Sequence, residues 1–80
     1  MEKNKYESEI IQLGLIIKDL RLKEKISQEN LSAQCDVDVR TIQRIERGKQ
    51  NISISLLFTI AEALNVKLNI LIDKIFAENR

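Results

Sequence analysis

The 80-residue chain has no histidine, proline or tryptophan, and only one cysteine and two glycines. Each shortage closes a class of function. Without histidine there is no imidazole to act as a general base or to ligate a metal. One cysteine makes neither an intrachain disulfide nor a zinc-finger cluster, and it suits a reducing cytoplasm. Cys35 falls at a core-facing spacing and reads as a small buried hydrophobe, with a redox-sensing thiol as the other reading. Scarce glycine, absent proline and 44% apolar residues leave few turns for a sheet and point to helices. No glycine-rich phosphate loop is present, and no carboxylate pair stands apart from ordinary helix surface charge. Neither an enzyme nor a cofactor or metal is therefore expected. Residues 1–9 are charged and polar, and the apolar run after them is interrupted by Gln12, Lys18, Asp19 and Arg21. That pattern fits neither a signal peptide nor a membrane span.

Among what is present, the stretch from Ser27 to Lys49 dominates. Ser27 is suited to cap a helix, because its hydroxyl accepts an otherwise unpaired amide of the first turn. Leu31 and Cys35 then share a face at i and i+4, with Ala33 small enough for close helix approach. Cys35-Asp36-Val37 breaks the pattern. Asp38 caps a second short helix, in which Ile42 and Ile45 face inward and Thr41 lies near the first turn. Gly48 ends it, since glycine takes the left-handed C′ conformation without steric cost. Val39, Arg40, Gln43, Arg44 and Arg47 are left outward. The predicted shape is a helix-turn-helix over about residues 27–49. Net charge is only +1, which counts mildly against nucleic acid. Arg40, Arg44, Arg47 and Lys49 nevertheless cluster around the second helix, and a local patch is what attracts phosphate.

Leu13-Gly14, Ile17, Leu20-Arg21, Ser27-Gln28, Leu31, Ile42, Ile45-Glu46, Gly48, Ala61 and Leu64 together closely resemble the Cro/repressor helix-turn-helix family, of the xenobiotic-response-element type. The resemblance runs from about Leu13 to about Leu71. Two residues depart from it: Ser32 replaces the usual alanine after Leu31, and Asp36 the usual turn glycine. Aspartate tolerates the left-handed conformation better than most residues, so the fold is retained. The resemblance implies an all-α, five-helix, lambda-repressor-like fold; the length allows one domain over residues 1–80, and residues 1–6 are expected to fray.

By the same resemblance, the second helix of the motif enters the major groove of DNA. Base contacts then fall to Val39, Arg40, Gln43 and Arg44. Arginine bonds guanine O6 and N7 together, Gln43 suits adenine, and Val39 packs on a thymine methyl. The alternative for each arginine is a solvated face or an ion pair with Asp36 or Asp38. Gln28 is implied to bind phosphate at a helix N-terminus, where anions are favoured; otherwise it is an ordinary first-turn residue. Arg47, Lys49 and Gln50 are expected to contact the DNA backbone, positioning the protein without reading sequence. Arg21 and Glu46 are implied to form an ion pair joining the first helix to the end of the recognition helix. The alternative is two solvated charges.

Around the motif, Ile10, Leu13, Ile17 and Leu20 mark an apolar stripe on a helix of about residues 7–25. Ile11, Leu15 and Leu22 form a second stripe, either a broader core face or an added contact surface. Gly14 costs a helix about 1 kcal/mol relative to alanine, and a close neighbouring helix would explain it. Ser53 caps a fourth helix whose core face is Leu57, Ile60, Ala61 and Leu64, ended by Asn65. The last helix, about Leu68 to Glu78, carries Leu68, Leu71, Ile72, Ile75 and Phe76 on one broad face. That face exceeds what so small a core requires and is the expected homodimer interface.

The expected function is a sequence-specific DNA-binding transcriptional regulator acting as a homodimer on a palindromic operator. Eighty residues leave no room for a sensory domain, so regulation is expected through concentration or a protein partner. The size resembles the small controller proteins of restriction–modification systems, although many of those carry Arg-Thr where Val39-Arg40 stand here. One rival is an antitoxin that binds a protein toxin and represses its own operon, with the Ile11/Leu15/Leu22 stripe as its surface. The other is an interaction protein that has lost DNA binding, against which the three basic residues on the recognition face argue.

Overall fold

The computed structural model describes residues 5–78 and contains five helices. They are α1 (Glu7–Lys23), α2 (Gln28–Cys35), α3 (Val39–Glu46), α4 (Ile54–Ala63) and α5 (Leu68–Glu78). Of the residues expected to fray, 1–4 lie outside the described residues, and Lys5 and Tyr6 form a turn leading into α1.

One device ends each of the first four helices. A residue in the left-handed region reverses the chain: Lys25 (φ 58°), Asp36 (φ 56°), Gly48 (φ 70°) and Asn65 (φ 58°). The amide that follows reaches back five residues, from Ile26 to Arg21, Val37 to Ser32, Lys49 to Arg44 and Val66 to Ala61, at 2.9–3.1 Å. These are Schellman turns, which satisfy carbonyls that a helix end leaves unpaired. In three of them the residue after the left-handed one is apolar, and Ile26, Val37 and Val66 all pack against the core. The fourth, after α3, carries Lys49, which is exposed. The sequence reading anticipated Asp36, Gly48 and Asn65 but carried α1 through Lys25, a residue with no turn signature.

Helix starts are equally explicit. Ser27 Oγ accepts from the Asn30 amide at 3.0 Å, Asp38 Oδ1 from the Arg40 amide at 2.8 Å, and Ser53 Oγ from the Leu56 amide at 3.1 Å. Each cap replaces water on a first-turn donor and contributes about 1 kcal/mol.

α1 packs on α3 and α5, α2 on α3 and α4, and α4 on α5. Two adjoining clusters result. One joins Ile17, Leu31, Cys35, Ile42, Ile45, Ile60 and Leu64; the other joins Ile16, Leu57, Ala61, Leu71 and Ile75. Because α1 serves both, its buried face is wide and centred on Ile16 and Ile17. Ile16 belonged to neither predicted stripe, while Ile10, Leu13 and Leu20 are only half-buried. Ile11, Leu15 and Leu22 are 42–55% exposed, so the second stripe is a surface and not a broader core face.

Two expectations need correction. Ala33 is exposed; the small residue that permits close packing is Ser32, which is buried and donates its hydroxyl to the Glu29 carbonyl at 2.8 Å. The five apolar residues of α5 do not form one free face. Leu71 and Ile75 lie in the chain's own core, Leu68 and Ile72 pack half-buried at its edge, and Phe76 alone is largely exposed. Periodicity marks where α5 is apolar, but α1 and α4 consume the centre of that stripe. Among the described residues no single helix is long and apolar enough to cross a membrane.

Candidate nucleic-acid interface

α3 is an eight-residue helix held from beneath. Ile42 and Ile45 are 0% and 1% exposed, anchoring one face in the core. α1 approaches so closely that a Cβ on Gly14 would collide with the Ile45 carbonyl oxygen. Glycine stands there because the α1–α3 contact admits no side chain. At the far end of α3, a Cβ on Gly48 would lie 2.7 Å from Ile11 Cγ1, so Gly48 is required by contact as well as by its positive φ.

A buried ion pair clamps the same end. Arg21 Nε donates to Glu46 Oε2 at 2.7 Å and Arg21 Nη2 to Glu46 Oε1 at 3.0 Å, the two-pronged arrangement expected of a guanidinium facing a carboxylate. Arg21 Nη1 donates to the Ile26 carbonyl at 2.8 Å, and Gln28 Nε2 donates to Glu46 Oε1 at 3.1 Å. Both charged residues are 7% exposed, and among the described residues no buried side-chain polar atom lacks a partner. The hydrogen bond to Glu46 holds the Arg21 guanidinium above its ordinary basicity, against the opposing effect of burial. The cluster therefore ties α1, the start of α2 and the end of α3 into one unit. Cys35 is buried, and desolvation pushes its thiol pKa up, which keeps it protonated and unreactive.

The opposite side of α3 is open. Arg40 and Arg44 are exposed, and Val39 and Gln43 are half-exposed beside them. Arg47 and Lys49 are exposed beyond the helix end, with Gln50 partly covered. The structure thus collects Val39, Arg40, Gln43 and Arg44 on the solvent side of one short helix, with Arg47, Lys49 and Gln50 at its end. Arg44 does not pair with Asp36 or Asp38; its Nε donates to Gln50 Oε1 at 3.1 Å. Sequence reading missed this contact, and also the Gln28–Glu46 bond. The first had a signal, because a Schellman turn at Gly48 folds the following loop back towards Arg44. The second had none, since it spans 18 positions. With its side chain engaged, Gln28 still offers the α2 N-terminus, where the amides are oriented towards solvent.

A family model described as "Helix-turn-helix" matches residues 17–71. The control protein C.BamHI of Bacillus amyloliquefaciens is 38% identical over 61 residues, covering 75% of each chain. The control protein C.MunI of a Mycoplasma species is 40% identical over 70 residues, covering 85% of this chain and 93% of that one. Among solved structures, the restriction-modification controller protein C.AhdI from Aeromonas hydrophila superposes with a TM-score of 0.75 at 27% identity, over 78% of this chain and 94% of that one. The capped helix pair, the clamped second helix and its open basic face agree with these likenesses: the chain belongs to the Cro/repressor-type helix-turn-helix family of DNA-binding transcriptional regulators.

Proposed function

We propose that this regulator binds a palindromic operator as a homodimer, in the cytoplasm, and acts as a controller of a restriction–modification system by occupancy and not by catalysis. The observation that carries this reading is the exposed Val39/Arg40/Gln43/Arg44 face on a helix whose other side is fixed by Ile42, Ile45 and the Arg21–Glu46 pair. An α-helix fits the major groove, and a rigidly seated one delivers the same side chains to the same base edges each time. Arg40 and Arg44 read guanine, Gln43 reads adenine and Val39 contacts a thymine methyl. Arg47, Lys49 and the α2 amide end at Gln28 bind phosphates and set the register, while Gln50 is engaged by Arg44.

One recognition helix spans few base pairs, which favours a two-fold dimer. The revised surface for it is Ile54 and Phe58 on α4 with Phe76 on α5, exposed by 67%, 57% and 54%, continued by the half-buried edge residues Leu68 and Ile72. Phe58 and Leu68 line one groove between the two helices. A two-fold axis through this patch places it against itself. The antitoxin reading ranks second, on the exposed Ile11/Leu15/Leu22 strip alone.

Selection from a pool of random-sequence duplexes tests the proposal. It should enrich an inverted repeat whose half-sites are centred about one helical turn, or a multiple of it, apart. A pool that shows no enrichment, or enriches a single unrepeated half-site, would overturn it.

A further inference from the structure

The Schellman turn after α3 brings Gln50 alongside a residue six positions earlier. The Lys49 amide donates to the Arg44 carbonyl at 2.9 Å, Gly48 makes the reversal, and Gln50 Oε1 then accepts from Arg44 Nε at 3.1 Å. Arg40, one turn earlier, donates its backbone amide to the Asp38 cap, and its side chain has no partner among the described residues. One of the two arginines on this face is thus held in place and the other is free.

We infer that Gln50 is a positioning residue for base recognition: it fixes the Arg44 guanidinium, so that the edge carrying Nη1 and Nη2 is presented to the DNA. This rests on the assignment of α3 to the major groove. A guanidinium has five N–H donors in one plane, and adjacent donors form a fork along either of two edges. The Nε edge is occupied by Gln50, while the terminal edge keeps both donors free. Guanine offers O6 and N7 as a matched pair of acceptors, so an end-on Arg44 meets guanine with both prongs. A long side chain also loses rotamer freedom on binding, and the bond to Gln50 removes part of that loss beforehand. Gln50 thereby shapes specificity without touching a base.

The test compares parent, Arg44→Ala, Gln50→Leu and Gln50→Glu on the selected operator and on its single base-pair variants. The base pair read by Arg44 is the one at which Arg44→Ala loses preference. Gln50→Leu should lower discrimination at that pair about two- to tenfold, the range of one hydrogen bond, and leave the other positions and the salt dependence unchanged. Gln50→Glu should bind all sequences more weakly, because it sets a carboxylate near phosphate. It should nonetheless keep the discrimination, because its carboxylate still accepts from Nε. If Gln50→Leu weakens all variants alike with discrimination intact, Gln50 is a phosphate contact and the inference is overturned alone. If Arg44→Ala changes no base preference, the groove assignment falls and the inference with it.

Discussion

Replacing Glu46 by alanine removes three hydrogen bonds at once: two from Arg21 and one from Gln28. Arg21, 7% exposed in the intact domain, would retain the Ile26 carbonyl as a partner but no counter-charge. Removing one member of a buried, hydrogen-bonded pair costs about 3–5 kcal/mol, chiefly because a desolvated charge is left unmatched. The side-chain exposures of 9% and 3% justify using that range and not the smaller one for surface pairs. A chain of this length has roughly 4–12 kcal/mol in all, and each kcal/mol shifts its melting temperature by about 6 °C. Glu46→Ala should therefore lower the melting temperature by about 20–30 °C. Arg21 gives no relief from pH. Its folded pKa lies above its unfolded one, so its contribution is complete below the unfolded value and is lost only as pH rises through the folded value, beyond any pH used to measure folding. Urea denaturation of Arg21→Met, of Glu46→Leu and of the variant carrying both completes a double-mutant cycle. The double variant should be more stable than the sum of the singles predicts, since two apolar groups leave no stranded charge. Losses under about 1 kcal/mol that simply add would refute the clamp.

Three further outcomes follow from particular contacts. Gly14→Ala, harmless in most helices, should cost more than about 2 kcal/mol by thermal melting, because its methyl meets the Ile45 carbonyl and forces α1 from α3; an unchanged melting temperature would contradict that packing. Phe58→Asp, at a residue 57% exposed, should leave the fold intact and convert dimer to monomer in sedimentation at micromolar concentration; a variant that still sediments as a dimer would move the interface elsewhere. Cys35 should resist alkylation until the domain opens, since burial disfavours its thiolate. Its labelling rate in urea should follow the unfolding curve, and fast labelling of the native protein would show an accessible thiol.

Much of the fold was legible because local chemistry and global packing agree. Ser27, Asp38 and Ser53 stand where amides need caps, and Asp36, Gly48 and Asn65 stand where the chain must turn left-handed. Lys25 was not legible. It adopts the same conformation with no side-chain reason, held by the Ile26-to-Arg21 hydrogen bond and by Ile26 packing on the core. The division of α5 was also hidden, because a stripe of Leu71, Ile72, Ile75 and Phe76 does not say how much of it α1 and α4 will cover. At the interface, the outward face of α3 followed from the 3.6-residue period, and the Arg21–Glu46 pair followed only from family resemblance. The Arg44–Gln50 bond depends on side-chain placement across a turn, which neither periodicity nor resemblance specifies.

On the proposed reading, Arg40 and Arg44 read bases from the exposed side of a clamped helix. Equilibrium binding of Arg40→Ala and Arg44→Ala to the selected operator, and to each of its single base-pair variants, measures this directly. Each substitution should cost about 1–3 kcal/mol and abolish preference at one base pair in each half-site. Lys49→Ala, in the same assay, should weaken every sequence alike and flatten the salt dependence. Arg40→Ala and Arg44→Ala proteins that bind as tightly as the parent, with base preferences unchanged, would contradict the claim.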